Sequence, residues 1–175
     1  MTRGAVLVFG DEMRLGLIAV VRKRWTPRGH KLVVRLQRVY KWTYLALGVD
    51  VANAELHWSW IASMKKECIG EVLRAWKEAG VAAVSWDNAS GHKCREHADI
   101  GVARVNQPPY SPEVNPPERV FEEVRRAVEG RNYDTVEDKA EEVEKFLREL
   151  NGDKERLRSL VQWKWITEAL AGLVA

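Results

Sequence analysis

Three carboxylates in this chain are carried by segments whose residue pattern fixes their direction. Ala5-Val6-Leu7-Val8-Phe9-Gly10 is a short apolar run ending in Asp11-Glu12, and Val81-Ala82-Ala83-Val84-Ser85-Trp86 is a second ending in Asp87-Asn88. Both read as buried strands tipped by an acid. The third, Glu118, follows Gln107-Pro108-Pro109-Tyr110-Ser111-Pro112-Glu113-Val114-Asn115-Pro116-Pro117, a stretch that holds five of the six prolines. Each proline fixes its own φ at about −65° and pushes its predecessor toward extended geometry, so the loop is stiff. Asn115 is a good N-cap, Pro116 suits a first helical position, and Val120, Phe121, Val124, Ala127 and Val128 follow at helical spacing. Glu118 therefore sits in a helix's first turn. Two readings of it stand: it closes a capping box on Asn115, or it converges with Asp11 and Asp87. Three carboxylates from separate elements are what Mg²⁺ or Mn²⁺ requires when few protein oxygens bind it and room is left for phosphate and water.

The elements between these acids must bring them together. Residues 5 to 11 read as the first strand, with Arg14 and Gly16 suggesting a turn or a continuing antiparallel partner before the apolar run 15–21. Leu32 to Val39 is strand-like, and 42–49 and 55–61 are β-rich with a hairpin connection at 50–54, so these segments form an antiparallel meander. A helix opens at Ser63 or Met64 and runs to about Ala79, with Ile69, Val72, Leu73 and Trp76 on one face and Gly80 as its stop. A helix that crosses to a strand beside the first makes a right-handed crossover, so the strands at 5–11 and 81–86 are parallel neighbours and their acidic ends lie close. A short helix at 93–98, a strand near 101–105 and the proline loop lead to the helix of Glu118. Thr135 begins a helix to about Leu150, and Asp153 caps a last helix carrying Leu157, Leu160, Val161, Trp165, Ile166 and Leu170.

Asp11-Glu12, Trp25-Thr26-Pro27-Arg28-Gly29, Asp87-Asn88-Ala89 with His92, and above all Pro108 to Glu113 and Asn115 to Arg119 resemble the motifs of mariner-like transposases of bacterial and archaeal insertion sequences. The matches occur in the family's order over roughly residues 4 to 150. The resemblance implies an α/β, ribonuclease H-like fold: a mixed five-stranded sheet, antiparallel meander plus parallel strands, flanked by helices. It implies that Asp11, Asp87 and Glu118 are the catalytic triad and hold two Mg²⁺ or Mn²⁺ ions, and that the chain cleaves DNA and transfers strands. It implies DNA as partner, both element ends and target, and a homodimer, because two ends are cut together. Two departures stand out: the interval from Asp87 to Glu118 is short, and no helix-turn-helix module precedes the first strand. The expectation is one catalytic domain over 1–175 with C-terminal helices at about 134–172, served by a separately encoded helix-turn-helix subunit. Two alternatives remain open: a catalytically silent DNA-binding or dimerising module derived from a transposase, and a stand-alone ribonuclease H-like nuclease.

Composition narrows the rest. Hydrophobic residues are 46% and charged residues 30% of 175, with a net charge of +3. No run has the length of a membrane span and the first ten residues lack a secretory pattern, so the cytoplasm is expected, with nucleoid association when DNA is bound. Residues 1–60 hold ten Lys or Arg against four acids, whereas 113–159 hold fourteen acids against ten bases. A basic front half suits a polyanion. Arg22, Lys23, Arg24, Trp25, Arg28 and Lys31 form a basic loop with one aromatic, suited to phosphates and a sugar or base; the alternative is a solvated turn with Trp25 folded onto the sheet. His92 either meets the scissile phosphate or braces Asp87, the alternative being a helix-cap or surface histidine, and Arg119 joins the DNA-contacting set. His92, Cys94 and His97 lack a second pair at zinc-site spacing. Trp163-Lys164-Trp165 stacks on DNA or belongs to the core or a dimer contact.

Overall fold

The structure, a computed structural model, describes residues 5–18, 25–31, 33, 37–87, 95–108 and 115–174. Five strands form one mixed sheet: β1 (Val6–Gly16), β2 (Trp42–Asp50), β3 (Glu55–Ile61), β4 (Val81–Trp86) and β5 (Ala103–Asn106), in the spatial order β3-β2-β1-β4-β5. β1, β2 and β3 are antiparallel in succession, while β4 runs parallel to both β1 and β5. The helices are α1 (Lys66–Glu78), α2 (Pro116–Val128), α3 (Val136–Gly152), α4 (Lys154–Val161) and α5 (Lys164–Val174), with a short 3-10 helix at Arg95–Ile100. The mixed sheet, the 50–54 hairpin and the parallel placement of the first and fourth strands are as the sequence predicts.

Period-two alternation divides the apolar residues between two cores. Met13 and Leu15 of β1 and Leu45, Leu47 and Val49 of β2 meet Val120, Phe121 and Val124 of α2 and Val143, Leu147 and Leu150 of α3. On the opposite face Val8, Ala46, Val84 and Trp86 meet Ile69, Val72, Leu73 and Trp76, the stripe expected of α1. Trp76 and Trp86 stack there at 5.5 Å between ring centroids. Two glycines make room for the indoles: a Cβ on Gly10 would lie 3.0 Å from Val84 Cγ2 and 3.2 Å from the Trp86 ring, and one on Gly48 would lie 3.2 Å from Trp76.

Three expectations are corrected. β1 does not stop at Asp11 or turn at Arg14; it continues to Gly16, because β2 pairs with it without a break from Phe9↔Val49 to Gly16↔Trp42. In the strand-like segment 32–39, the described residues Val33 and Gln37 to Val39 belong to no strand, and the others lie outside the described residues. The last helix is two. At Gln162 the backbone leaves helical space (φ −90°, ψ 70°), and its side chain donates to the Val51 carbonyl at 2.8 Å, so the break ties α4 to the β2–β3 hairpin. The Thr135 capping box is present, with Asp138 as its partner. Among the described residues no helix is long and apolar enough to cross a membrane.

Candidate active site

β1 and β4 place the first two carboxylates. Their last parallel register pair is Phe9↔Ser85. Two further residues along each chain bring Asp11 level with Asp87, the residue that follows β4. Alternation puts Asp11 on the same face as Phe9 and Met13, which is the face covered by α2. Asp11 is thus a mid-strand residue. β4 ends at Trp86 while β1 continues against β2 to Gly16. Asp87 is exposed.

The beginning of α2 supplies the third carboxylate. Asn115 occupies the N-cap position, Pro116 and Pro117 open the helix, and the Glu118 amide donates to the Asn115 carbonyl at 3.1 Å. The capping box does not form. The Asn115 side chain makes no cap hydrogen bond; its Nδ2 donates instead to Asp11 Oδ2 at 2.8 Å. The other Asp11 oxygen accepts from the Glu12 amide at 2.8 Å. Gln107 Nε2 donates both to Asn115 Oδ1, at 3.0 Å, and to the Ser85 carbonyl, at 3.1 Å, and the Gln107 amide donates to the Trp86 carbonyl at 2.9 Å. A polar chain therefore runs from the end of β4 through Gln107 and Asn115 to Asp11.

The carboxylates act on one another. Asp11 has its pKa raised to about 7, first by burial, which disfavours the charged form, and then by the negative charges of Glu12, Glu118 and Asp87, against the lowering effect of the Glu12 amide. Of the three like charges, Glu12 is the sequence neighbour, and strand alternation sends it to the opposite face. Among the described residues no three His, Cys, Asp or Glu side chains stand close enough to hold a metal ion as they are placed. The donor set nonetheless suits one. It is all hard oxygen, its partly buried member lies under the field of the other two, and a divalent cation is the partner that relieves such crowding.

Comparison with known proteins then places the chain. A family described as DDE superfamily endonucleases matches residues 6–140. The chain belongs to the DDE superfamily endonucleases. Its fold is that of the mariner Mos1 transposase: the paired-end complex with Mg superposes with a TM-score of 0.69 at 17% identity, over 90% of this chain and 51% of that one. The Mos1 paired-end complex with left transposon end gives 0.65 at 20% identity, over 89% and 51%. The Mos1 complex with Mn gives 0.66 at 19%, over the same shares. This chain spans about half the length of the Mos1 chains it matches. A comparison with curated proteins finds none that matches. The expected DDE family membership is borne out, and so is the ribonuclease H-like fold, shared with a mariner transposase.

The remaining sequence-predicted residues of this DDE domain divide by position. Arg22, Lys23, Arg24 and His92 lie outside the described residues. Trp25 is fully exposed, not folded onto the sheet, and Arg28 and Lys31 are exposed beside it on a turn closed by a hydrogen bond from the His30 amide to the Pro27 carbonyl. Arg119 lays its guanidinium over the Trp163 ring at 5.6 Å, and Trp163 lies 6.0 Å from the half-exposed Trp165. Ile166, not either tryptophan, is the buried anchor of α5.

Sequence reasoning missed Asn115 and Gln107 as site residues. The available signal was their position, one at each end of the proline-rich segment. It also missed a groove of about 660 Å³ beyond Asp11, lined by Arg14, Lys41, Arg125 and Lys139 with Tyr40 and Trp42. Arg14 stacks over Trp42 at 5.7 Å. Lys139 is buried and donates to the Gly16 carbonyl at 2.8 Å, and burial lowers its pKa. These bases come from segments far apart in sequence, so no local charge run announces them.

Proposed function

We propose that this chain is the catalytic domain of a mariner-like transposase, cleaving DNA strands and joining them to target DNA, with Asp11, Asp87 and Glu118 as its triad. The observation that carries the reading is the partly buried Asp11 carboxyl on the α2 face of the sheet, with the charges of Asp87 and Glu118 acting on it. Asp11, Asp87 and Glu118 would hold Mg²⁺ or Mn²⁺; the Mos1 complexes with Mg and with Mn support the same choice here. Such ions, when bound, offset charge on the attacking and leaving oxygens of a phosphodiester.

The chain's own residues do the positioning. Water attacks phosphorus, the bond to the leaving oxygen breaks, and the freed 3′ hydroxyl then attacks a target phosphodiester in the same way. The groove of Arg14, Lys41 and Arg125, with Tyr40 and Trp42, offers cations for the backbone and aromatic faces for sugar or base. The exposed Trp25, Arg28, Lys31 and Arg119 join the proposed DNA-contacting set, together with Arg22, Lys23, Arg24 and His92. The Mos1 complexes contain paired ends, which supports two copies acting together. Recognition of the ends would fall to a helix-turn-helix unit.

Nicking of supercoiled plasmid tests this reading. Wild-type chain should nick in Mn²⁺ and not in EDTA, and Asp11→Asn, Asp87→Asn and Glu118→Gln should each abolish nicking while folding normally. Binding of DNA without nicking under any metal would instead support a catalytically silent binding module.

A further inference from the structure

We infer that Asn115 is a positioning residue for the carboxylate centre, and that Gln107 acts through it by fixing which way its amide points. The inference rests on the proposed triad and concerns how that triad is assembled.

Asn115 sits where three elements meet. Its side chain donates to Asp11 on β1, its backbone carbonyl accepts from the Glu118 amide in the first turn of α2, and its Oδ1 accepts from Gln107. It is 4% exposed, so no water competes freely for these groups. A carboxamide can present either its oxygen or its nitrogen to a neighbour, and only the nitrogen is acceptable to an anionic carboxylate. Gln107 decides the choice. Both of its Nε2 hydrogens are committed, one to the Ser85 carbonyl and one to Asn115 Oδ1. Asn115 Oδ1 must therefore face Gln107, and Nδ2 must face Asp11. Gln107 is itself anchored by its amide to Trp86, the residue before Asp87. One polar chain thus registers the strand end that carries Asp87, the strand that carries Asp11 and the helix that carries Glu118.

The arrangement leaves Asp11 available for a cation. Each carboxylate oxygen has two lone-pair sites. Oδ1 gives one to the Glu12 amide and Oδ2 gives one to Asn115, so each keeps another, in a plane set by two fixed donors. A helix cap would not need this. An ordinary N-cap asparagine turns its oxygen back onto its own helix, which Asn115 does not do.

The test measures Mn²⁺ affinity from the electron paramagnetic resonance of free Mn²⁺, together with the unfolding temperature of the metal-free chain. Variants are Asn115→Leu, Gln107→Leu, the double substitution, and Asp87→Ala as control. Asn115→Leu should weaken Mn²⁺ binding about 10- to 100-fold, the range for losing a group that orients a metal ligand. Gln107→Leu should weaken it less, and the double variant should be no worse than Asn115→Leu alone, because Gln107 acts through Asn115. If Asn115→Leu lowers only the unfolding temperature and leaves Mn²⁺ affinity intact while Asp87→Ala loses it, Asn115 is structural and the inference fails alone. If the double variant loses the sum of the two single losses, the relay fails. If wild type and Asp87→Ala bind Mn²⁺ equally, the triad beneath the inference fails. Should Asn115→Leu not fold, Gln107→Leu decides: unchanged affinity overturns the inference.

Discussion

Arg125 Nη1 stands 3.6 Å from Glu118 Oε2, two turns further along α2, and 3.7 Å from Glu122 Oε1. A cation drawn to Glu118 must compete with this guanidinium. Arg125→Gln should therefore strengthen Mn²⁺ binding in the absence of DNA. The pair is half-exposed and worth ~0.2–1 kcal/mol, so the gain should be no more than about fivefold. Calorimetric titration of both proteins checks it, and weaker binding by the variant would show that Arg125 supports Glu118 instead of restraining it.

Asp11 gives a pH dependence with a definite sign. Its pKa is raised from 3.8 to about 7, so the folded chain holds the proton more tightly than the unfolded chain does. Between those values the stability of the metal-free protein falls as pH rises. Glu123 and Glu144, held low by Arg156 and Arg126 and by Trp60, Trp58 and Arg148, tilt the other way in acid. The difference between wild type and Asp11→Asn isolates the aspartate. Urea unfolding at pH 5 and pH 8 should show Asp11→Asn gaining on wild type at the higher pH, by at most about 3 kcal/mol. An equal difference at both values would contradict the partly buried carboxyl.

Gly10 precedes Asp11 and lies against two side chains. With a Cβ 3.0 Å from Val84 Cγ2 and 3.2 Å from the Trp86 ring, Gly10→Ala must displace part of that core. A loss of about 1–3 kcal/mol in urea unfolding is expected. The displaced strand should also weaken Mn²⁺ binding, since the same backbone carries Asp11.

The groove can be tested separately from the metal. Arg14→Ala and Lys41→Ala remove exposed cations that lie in it. Each should weaken duplex binding about equally for all sequences and reduce the salt slope by about 1. Fluorescence anisotropy over a range of salt concentrations reads both quantities, and an unchanged slope would take the DNA path elsewhere.

Much of this fold was legible because its signals are local. The α1 stripe Ile69, Val72, Leu73 and Trp76, the apolar run of β4 and the Asp50–Ala54 hairpin each lie within a short window, and all are present. What could not be read depends on contacts distant in sequence. The Arg14 and Gly16 pattern suggests a turn, yet pairing with Tyr44 and Trp42 overrides it. Gln162 reads as one more helical residue until the Val51 carbonyl claims its side chain. Asn115 carries every local mark of an N-cap. Its Oδ1 accepts from Gln107 instead of from the helix's own amides, and its Nδ2 donates to the Asp11 carboxylate that β1 brings within 2.8 Å. Asp87 follows β4 and Glu118 lies in the first turn of α2, as their local patterns indicate, whereas Asp11 lies mid-strand because pairing with β2 carries β1 on to Gly16.

Calorimetric titration of Mn²⁺ at neutral pH, in the presence of duplex DNA, tests the central claim most directly. Wild type should bind, and Asp87→Ala and Glu118→Ala should each weaken binding strongly, because both would share the centre with Asp11. If the wild type binds no metal with DNA present, or if either substitution leaves binding unchanged, Asp11, Asp87 and Glu118 do not form one metal centre.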